Sequence, residues 1–302
     1  MDDDSAAIGV SRQGLMKFSI KTKEPLPDAI RRIATEQLQL AADQTSARKA
    51  TANSIHCARK AIKRTRAVLR LIRCGDHEMA VREEDRTLGA AARLLAAERD
   101  IHVQWAALKC LPICGSDGIC QVLRQRLQKA EADLRPKRNQ HVSQFRAAIK
   151  AAQGRLALWP TGGFDKNQLA AALKQSYRRT QKRFKHVQQV ATAKKIHRCR
   201  RAAKTFWHQL QIADAFASKR LKHLTDETEE LTGYLGDDHD LYMLSRALAG
   251  TTDSQSLTVK QEIRKRRTKL QKRALKLAQK TFDLAPSEFH KQISKCLNQV
   301  KN

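Results

Sequence analysis

Apolar residues recur at three- and four-residue intervals through most of the 302-residue chain, which is the spacing of an amphipathic α-helix. No stretch shows the period-two alternation of a half-buried strand. The pattern predicts helices over residues 26–45, 51–74, 78–110, 117–134, 137–157, 166–191, 194–215, 217–249, 256–282 and 286–300. Pro136 and the turn at residues 159–163 are the expected breaks. We therefore expect an all-α protein in which residues 1–22 form a short flexible leader.

Two sequence motifs occur twice, in the same order. HCARKAIK at residues 56–63 recurs as HRCRRAAK at residues 197–204, an offset of 141 residues. LAAERDI at residues 95–101 recurs as LGDDHDL at residues 235–241, an offset of 140 residues. Two motifs at nearly one offset indicate an internal repeat.

The charge pattern repeats with the motifs. Residues 44–75 carry nine Lys or Arg and no Asp or Glu, and residues 166–213 carry thirteen Lys or Arg and again no acid. An acid-rich segment follows each of these stretches. We therefore expect one domain over residues 23–302, made of two similar helical bundles (about 23–160 and 164–302) related by an internal pseudo-twofold axis.

The composition adds a strong overall charge. Lys and Arg number 59 against 30 Asp and Glu, which gives a net charge of +29. Such an excess predicts a polyanionic partner: nucleic acid, an anionic membrane surface or polyphosphate. The seven cysteines, with no signal peptide before them, predict reduced thiols and a cytoplasmic location. No run of about 18 apolar residues exists, so we expect no membrane span.

A row of cations accompanies the apolar stripe of the predicted helix 51–74. The stripe consists of Ile55, Ala58, Ile62, Thr65, Leu69 and Ile72. The cations follow one position later: His56, Arg59, Lys63, Arg66, Arg70 and Arg73. At 100° per residue they flank the buried face, whereas an ordinary amphipathic helix places its charges on the opposite face.

The second half repeats this arrangement. His197, Arg200 and Lys204 flank a stripe formed by Ile196, Cys199, Ala203, Phe206 and Leu210, and Trp207 stands where Arg66 stands in the first copy. The preceding helix adds Arg179 and Arg183. If the two halves meet, these flanks would line one basic groove or channel that attracts a linear polyanion, because Arg and Lys bind phosphate oxygens. Three further cations are expected to point outward: Lys60, Arg64 and Arg201.

Carboxylates and histidines leave other chemistry open. Asp100 and Asp240 would hold Arg or Lys side chains in fixed rotamers. A rival interpretation joins Asp237, His239 and Asp240 with His56 or His197 in a metal site, which a polyphosphate or nucleotide hydrolase would use. The surrounding cations disfavour a bound metal ion, and no nucleotide-binding or hydrolase motif occurs. We therefore predict no metal, no cofactor and no enzyme activity.

The ordered motifs resemble the CHAD family, the conserved-histidine α-helical domain. The resemblance rests on IHCARKAIKRTRAVLRLIR at 55–73, LLAAERDIHV at 94–103, HRCRRAAKTFWHQL at 197–210 and LGDDHDLYML at 235–244, and it covers roughly residues 25–300. It implies two four-helix bundles around a basic central cavity that binds inorganic polyphosphate, and an association with polyphosphate granules. The binding residues would be His56, Arg59, Lys63, Arg66, Arg70, Arg179, Arg183, His197, Arg200 and Lys204.

The main alternative is a nucleic-acid-binding protein. The stretch 260–280 contains ten Lys or Arg and one acid, Glu262, which would suit such a partner. Aromatic residues make up only 5% of the chain, so stacking platforms for single strands are scarce. A membrane surface is a weaker alternative, because the basic helices lack exposed Trp or Phe for insertion.

Overall fold

The computed structural model describes residues 18–21, 23–46, 50–73, 78–109, 118–216, 218–250 and 254–299. The α-helices are α1 (Leu26–Asp43), α2 (Ala52–Leu71), α3 (Glu78–Leu94), α4 (Ala96–Lys109), α5 (Gly118–Arg155), α6 (Lys166–Gln189), α7 (Ala193–Ile212), α8 (Lys219–Ala247), α9 (Ser254–Thr281) and α10 (Pro286–Gln299). Short 3-10 helices follow α5 and α7. The described residues contain no β-strand, and the all-α prediction is confirmed. Within these ranges, none of the helices has the length and apolar composition needed to cross a bilayer.

Two predicted helix boundaries were wrong. α5 continues through Pro136, where we expected a break. A proline inside a helix frees the carbonyl four residues earlier. Pro136 and Ala132 are both exposed, so water can bind that carbonyl. Conversely, the predicted helix 78–110 is interrupted at Leu95, a fully buried residue. This interruption lets α3 pack on α2 and α5 while α4 also contacts α8.

The helices contact one another in two rings. In the first half, α1 packs on α2, α2 on α3, α3 on α5 and α5 on α1. In the second half, α6 packs on α7, α7 on α8, α8 on α9 and α9 on α6, while α10 covers α6. α2 and α7 join the rings by packing against each other. The pseudo-twofold relation between the halves stays a prediction.

The main hydrophobic core is continuous across both halves and contains Ile62 and Leu69 of α2 together with Ala203 and Phe206 of α7. A smaller second core joins α4, the start of α5, the end of α8 and the start of α9. Its buried members include Leu108, Leu123, Leu244 and Ile263. The main core therefore packs α2 against α7, so that their cationic flanks lie close together.

The end of the predicted leader packs against the two central helices. Phe18 and Ile20 are buried. The Arg64 guanidinium lies 4.6 Å from the Phe18 ring centroid, so Arg64 is buried instead of pointing outward as expected. The Ile20 N–H donates to the Ile212 carbonyl. Residues 1–17 and 22 lie outside the described residues.

The cysteines differ from expectation at one position. Cys57, Cys199 and Cys296 are free, as predicted. Cys120 is disulfide-bonded, so the prediction of a free thiol there was wrong. Cys spacing in the sequence does not show which thiols the fold brings together. The remaining three, Cys74, Cys110 and Cys114, lie outside the described residues.

Candidate functional site

The candidate site forms where α2 and α7 pack side by side. Each helix is 20 residues long and begins after a threonine N-cap, Thr51 or Thr192. Each threonine hydroxyl accepts a hydrogen bond from the third backbone N–H of its helix. The caps are 141 residues apart, the same offset as His56 and His197. Both helices therefore carry their motif residues at the same distance from their start.

The predicted apolar stripes of both helices are buried, which fixes the direction of the neighbouring cations. The α2 stripe from Ile55 to Ile72 is at most 1% exposed, and the α7 stripe from Ile196 to Leu210 is at most 6% exposed. A buried hydrogen bond from Gln209 Nε2 to the Ala67 carbonyl, 3.1 Å long, ties the helices together. The flanks beside the stripes thus face each other across the helix–helix contact.

A recess of about 310 Å³, the α2–α7 recess, opens between these flanks. Its lining residues are His56, Lys60, Lys63, Arg66, Arg70, Arg200, Arg201, Lys204, Thr205, Trp207 and His208. None of the lining residues is acidic. Lys60 and Arg201, which we expected to point further outward, belong to its wall.

A second recess of about 480 Å³, the arginine recess, adjoins the first. Its walls come from α2, α3, α6 and α7, and α3 contributes the carboxylate of Asp85. The cations of this recess are Arg70, Arg73, Arg179, Arg183, Arg198 and Arg201. Arg70, Arg201 and Thr205 line both recesses. Arg70 Nη1 donates to Thr205 Oγ1 at 2.8 Å, so this hydrogen bond stands at the boundary between the two recesses.

Asp85 of α3 positions two of the cations. Arg66 Nε donates to Asp85 Oδ1 at 2.7 Å, and Arg70 Nη2 donates to Oδ2 at 3.1 Å. Burial opposes ionisation of Asp85, but the hydrogen bond from Arg66 and the charge of Arg70 outweigh it and hold the carboxyl pKa below its usual range. One turn later, Gly89 leaves room for the Arg66 guanidinium, since a Cβ there would lie 3.0 Å from Arg66 Cζ.

Burial and the neighbouring positive charges lower the pKa values of basic side chains in the α2–α7 recess. Desolvation, followed by the charges of Arg59 and Arg200, lowers the pKa of Lys63 to about 7, although solvent reaches its side chain. Desolvation also lowers the pKa of Lys204 to about 8 and that of His56 to about 4. Lys63 therefore loses its proton more readily than an ordinary lysine does. An anion in the recess would favour its charged form.

The remaining predicted site residues lie elsewhere. Arg59 turns toward α3 and donates to the Ala92 carbonyl, and it lines neither recess. His197 lies beside His239 of α8, with ring centroids 5.1 Å apart. Of the ten predicted residues, the α2–α7 recess therefore gathers His56, Lys63, Arg66, Arg70, Arg200 and Lys204, and the arginine recess gathers Arg70, Arg179 and Arg183.

Asp100 and Asp240 line neither recess, but both interact electrostatically with Lys63 and Arg200. Burial raises the pKa of both carboxyl groups, while Arg59 acts against this shift at Asp100 and Arg200 acts against it at Asp240. Neither carboxylate has a close ion pair with another described residue. Asp85 instead fixes cation rotamers, the role we expected of these two residues.

Trp207 and Arg200 leave hydrogen-bond donors unused beside the recess. The indole nitrogen of Trp207 and Nε of Arg200 are buried and have no hydrogen-bond partner among the described residues. Lys204 Nζ lies 4.4 Å from the Trp207 ring centroid. Sequence reasoning treated Trp207 as a lost cation, yet it belongs to the recess wall. Across the described ranges, no group of three or more His, Cys, Asp or Glu is arranged to hold a metal ion.

Comparisons with known proteins identify the fold and the family. A search of curated proteins finds no significant match. Among solved structures, the crystal structure of the CHAD domain from the plant Ricinus communis superposes with a TM-score of 0.58 at 17% identity, covering 92% of this chain and 98% of that chain. The family model described as CHAD domain matches residues 30–249, which is more than half of the sequence. The chain therefore belongs to the CHAD domain family.

Proposed function

We propose that this protein binds inorganic polyphosphate without catalysing its breakdown. In this proposal the polyphosphate occupies the α2–α7 recess and extends into the arginine recess. The observation that carries the proposal is a cationic wall without a carboxylate on the α2–α7 side. Polyphosphate has one negative charge per unit and no bulky side groups. It can therefore bring many charges into a recess that excludes wider polyanions.

The composition of the wall supports phosphate as the ligand. Arg66 and Arg70 are held by Asp85, so their guanidinium groups are oriented before a ligand arrives. Guanidinium groups donate paired hydrogen bonds to phosphate oxygens, and lysine adds a compact charge. Binding would release the counterions of polyphosphate, so affinity should fall steeply with salt.

The size and shape of the recess disfavour nucleic acid at this site. A volume of about 310 Å³ is too small for a duplex. Single strands are bound by aromatic side chains on which bases stack. Trp207, the aromatic residue apart from histidine in the wall, is 7% exposed and already has Lys204 over its ring.

The test compares two double variants that change the net charge equally. Lys63→Glu with Arg200→Glu places two carboxylates in the α2–α7 recess, whereas Lys150→Glu with Lys291→Glu changes exposed positions on α5 and α10. We expect the recess variant to bind labelled long-chain polyphosphate at least about tenfold more weakly, and the control to change little. Equal affinity of the two folded variants would refute the assignment. Phosphate release should be absent in both, with or without added divalent ions.

Association with polyphosphate granules in the cytoplasm would follow from this binding. Its test is the position of a fluorescently tagged protein in cells that contain granules, compared with the recess variant. The recess variant should be distributed evenly while the control variant stays at granules.

A further inference from the structure

A second cationic surface lies on α9, outside both recesses. Its exposed positions between 264 and 276 carry only Arg, Lys and Thr268. The cations of this α9 face are Arg264, Lys265, Lys269, Lys272, Arg273 and Lys276. At 1.5 Å per residue the face is about 18 Å long. The opposite side of the helix is buried through Val259, Ile263 and Ala274.

The α9 face is separate from the candidate site. α9 contributes no lining residue to either recess. It packs mainly on α8, which in turn packs on α7. A ligand bound on the exposed side of α9 would therefore not share side chains with a ligand in the α2–α7 recess.

The acids around α9 do not neutralise this face. Glu262, the acid in the helix itself, pairs with Arg266 at 2.8 Å. Asp238 of α8 pairs with Arg267 at 3.0 Å, and Glu227 pairs with Lys280 at 2.9 Å. All three cations lie outside the α9 face. Within the described ranges, none of the face cations has an ion pair with a carboxylate.

Another long exposed helix shows the usual arrangement. On α5, the exposed acids Glu131 and Asp133 lie four residues before the exposed Arg135 and Lys137, so opposite charges stand one turn apart on this part of its surface. The α9 face instead places like charges one turn apart, as at Lys265–Lys269 and Lys272–Lys276. Such pairs destabilise a helix. A bound polyanion would remove this repulsion.

We propose that the α9 face binds the phosphate backbone of a nucleic-acid duplex without reading its sequence. The face is the outer side of a helix, so it cannot surround a thin chain, but it can lie along a wide, rigid polyanion. It has no aromatic side chain on which single-stranded bases would stack and no apolar side chain to enter a membrane. Lysine ammonium groups give contacts that position a duplex and carry no sequence information. This inference does not depend on polyphosphate binding.

The experiment measures binding of a short DNA duplex to the full chain across a salt series. The test variant combines Lys265→Gln, Lys269→Gln, Lys272→Gln and Lys276→Gln. A matched control removes the same charge from exposed lysines elsewhere, through Lys137→Gln, Lys150→Gln, Lys291→Gln and Lys295→Gln. Each lost phosphate contact lowers the slope of log affinity against log salt by about 0.9. The test variant should therefore lose about 3 to 4 from this slope and at least about tenfold in affinity.

Two further measurements keep the result interpretable. The test variant should melt at an equal or higher temperature than the parent, because like-charge repulsion is removed, and its affinity for polyphosphate should be unchanged. An equal loss of duplex binding in the control would show that net charge alone acts, and the proposal would be wrong. A parallel loss of polyphosphate binding in the test variant would also overturn it. Failure of the polyphosphate proposal would appear separately, in the recess variant.

Discussion

Replacing Gly89 by alanine should displace Arg66 and weaken polyphosphate binding while α3 stays folded. The new Cβ would lie 3.0 Å from Arg66 Cζ and from Nη2, closer than ordinary contact, so the guanidinium must move by a few tenths of an ångström. The backbone of α3 cannot move as easily, because Gly89 is buried within the helix. The displacement acts on the 2.7 Å hydrogen bond between Arg66 and Asp85.

The expected changes in free energy separate stability from binding. Alanine in place of a helix-interior glycine favours folding by about 1 kcal/mol. A weakened charge-assisted hydrogen bond whose partners are 19% and 20% exposed costs about 1 kcal/mol. The free energy of unfolding should thus change by less than about 1 kcal/mol. A misplaced guanidinium in the recess should lower polyphosphate affinity about three- to tenfold.

The assay is a double-mutant cycle of polyphosphate affinity, using the parent, Gly89→Ala, Arg66→Gln and the combination. If Gly89 acts by positioning Arg66, alanine at position 89 has little effect once Arg66 is replaced. The reasoning is refuted if Gly89→Ala lowers affinity equally in both backgrounds, or leaves it unchanged in the parent. Urea unfolding of all four proteins provides the stability control.

Two further predictions concern pH and the core. Because the folded-state pKa of Lys63 is about 7 against an ordinary 10.5, the unfolded chain binds more protons between these values, so the stability of the free protein should rise with pH in this window. Polyphosphate affinity should fall over the same window, since binding takes up a proton. Lys63→Arg should reduce the slope of both profiles and leave the part due to Lys204, whose pKa is lowered to about 8. An unchanged affinity profile in Lys63→Arg would contradict this. Phe206→Ala leaves a cavity at a fully buried position beside the rings of Tyr177 and Phe282. In urea titrations it should lower the free energy of unfolding by about 3–5 kcal/mol. The fraction that remains folded should bind polyphosphate as the parent does.

Most of the helical organisation could be predicted from the sequence. The stripes through Ile62 and Phe206 follow the helical period, and every predicted stripe member on α2 and α7 is buried. The cations one position later consequently flank the buried face, which is why Lys63 and Arg200 meet in one recess. Local spacing suffices for these statements, because it fixes which side of a helix each residue occupies.

Other features depend on contacts between helices. Asp85 is one acid among several in an acid-rich segment, and its role appears only when α3 packs beside α2 and brings it to Arg66 and Arg70. Arg59 belongs to the same flank as Lys63, yet its guanidinium donates a hydrogen bond to the Ala92 carbonyl of α3. The break predicted at Pro136 was wrong because a proline on an exposed helix face costs less stability than one inside a core. Water can bind the carbonyl that the proline leaves without a hydrogen-bond donor. None of these outcomes can be read from spacing along one helix.

A competition experiment tests the central claim most directly. Labelled long-chain polyphosphate is bound to the full chain at several salt concentrations and then challenged with duplex DNA, single-stranded RNA and short phosphates at matched charge. If the α2–α7 recess selects a thin polyanion, polyphosphate stays bound against a large charge excess of either nucleic acid. Displacement by DNA or RNA charge for charge would contradict the account and would make the protein a general polyanion binder.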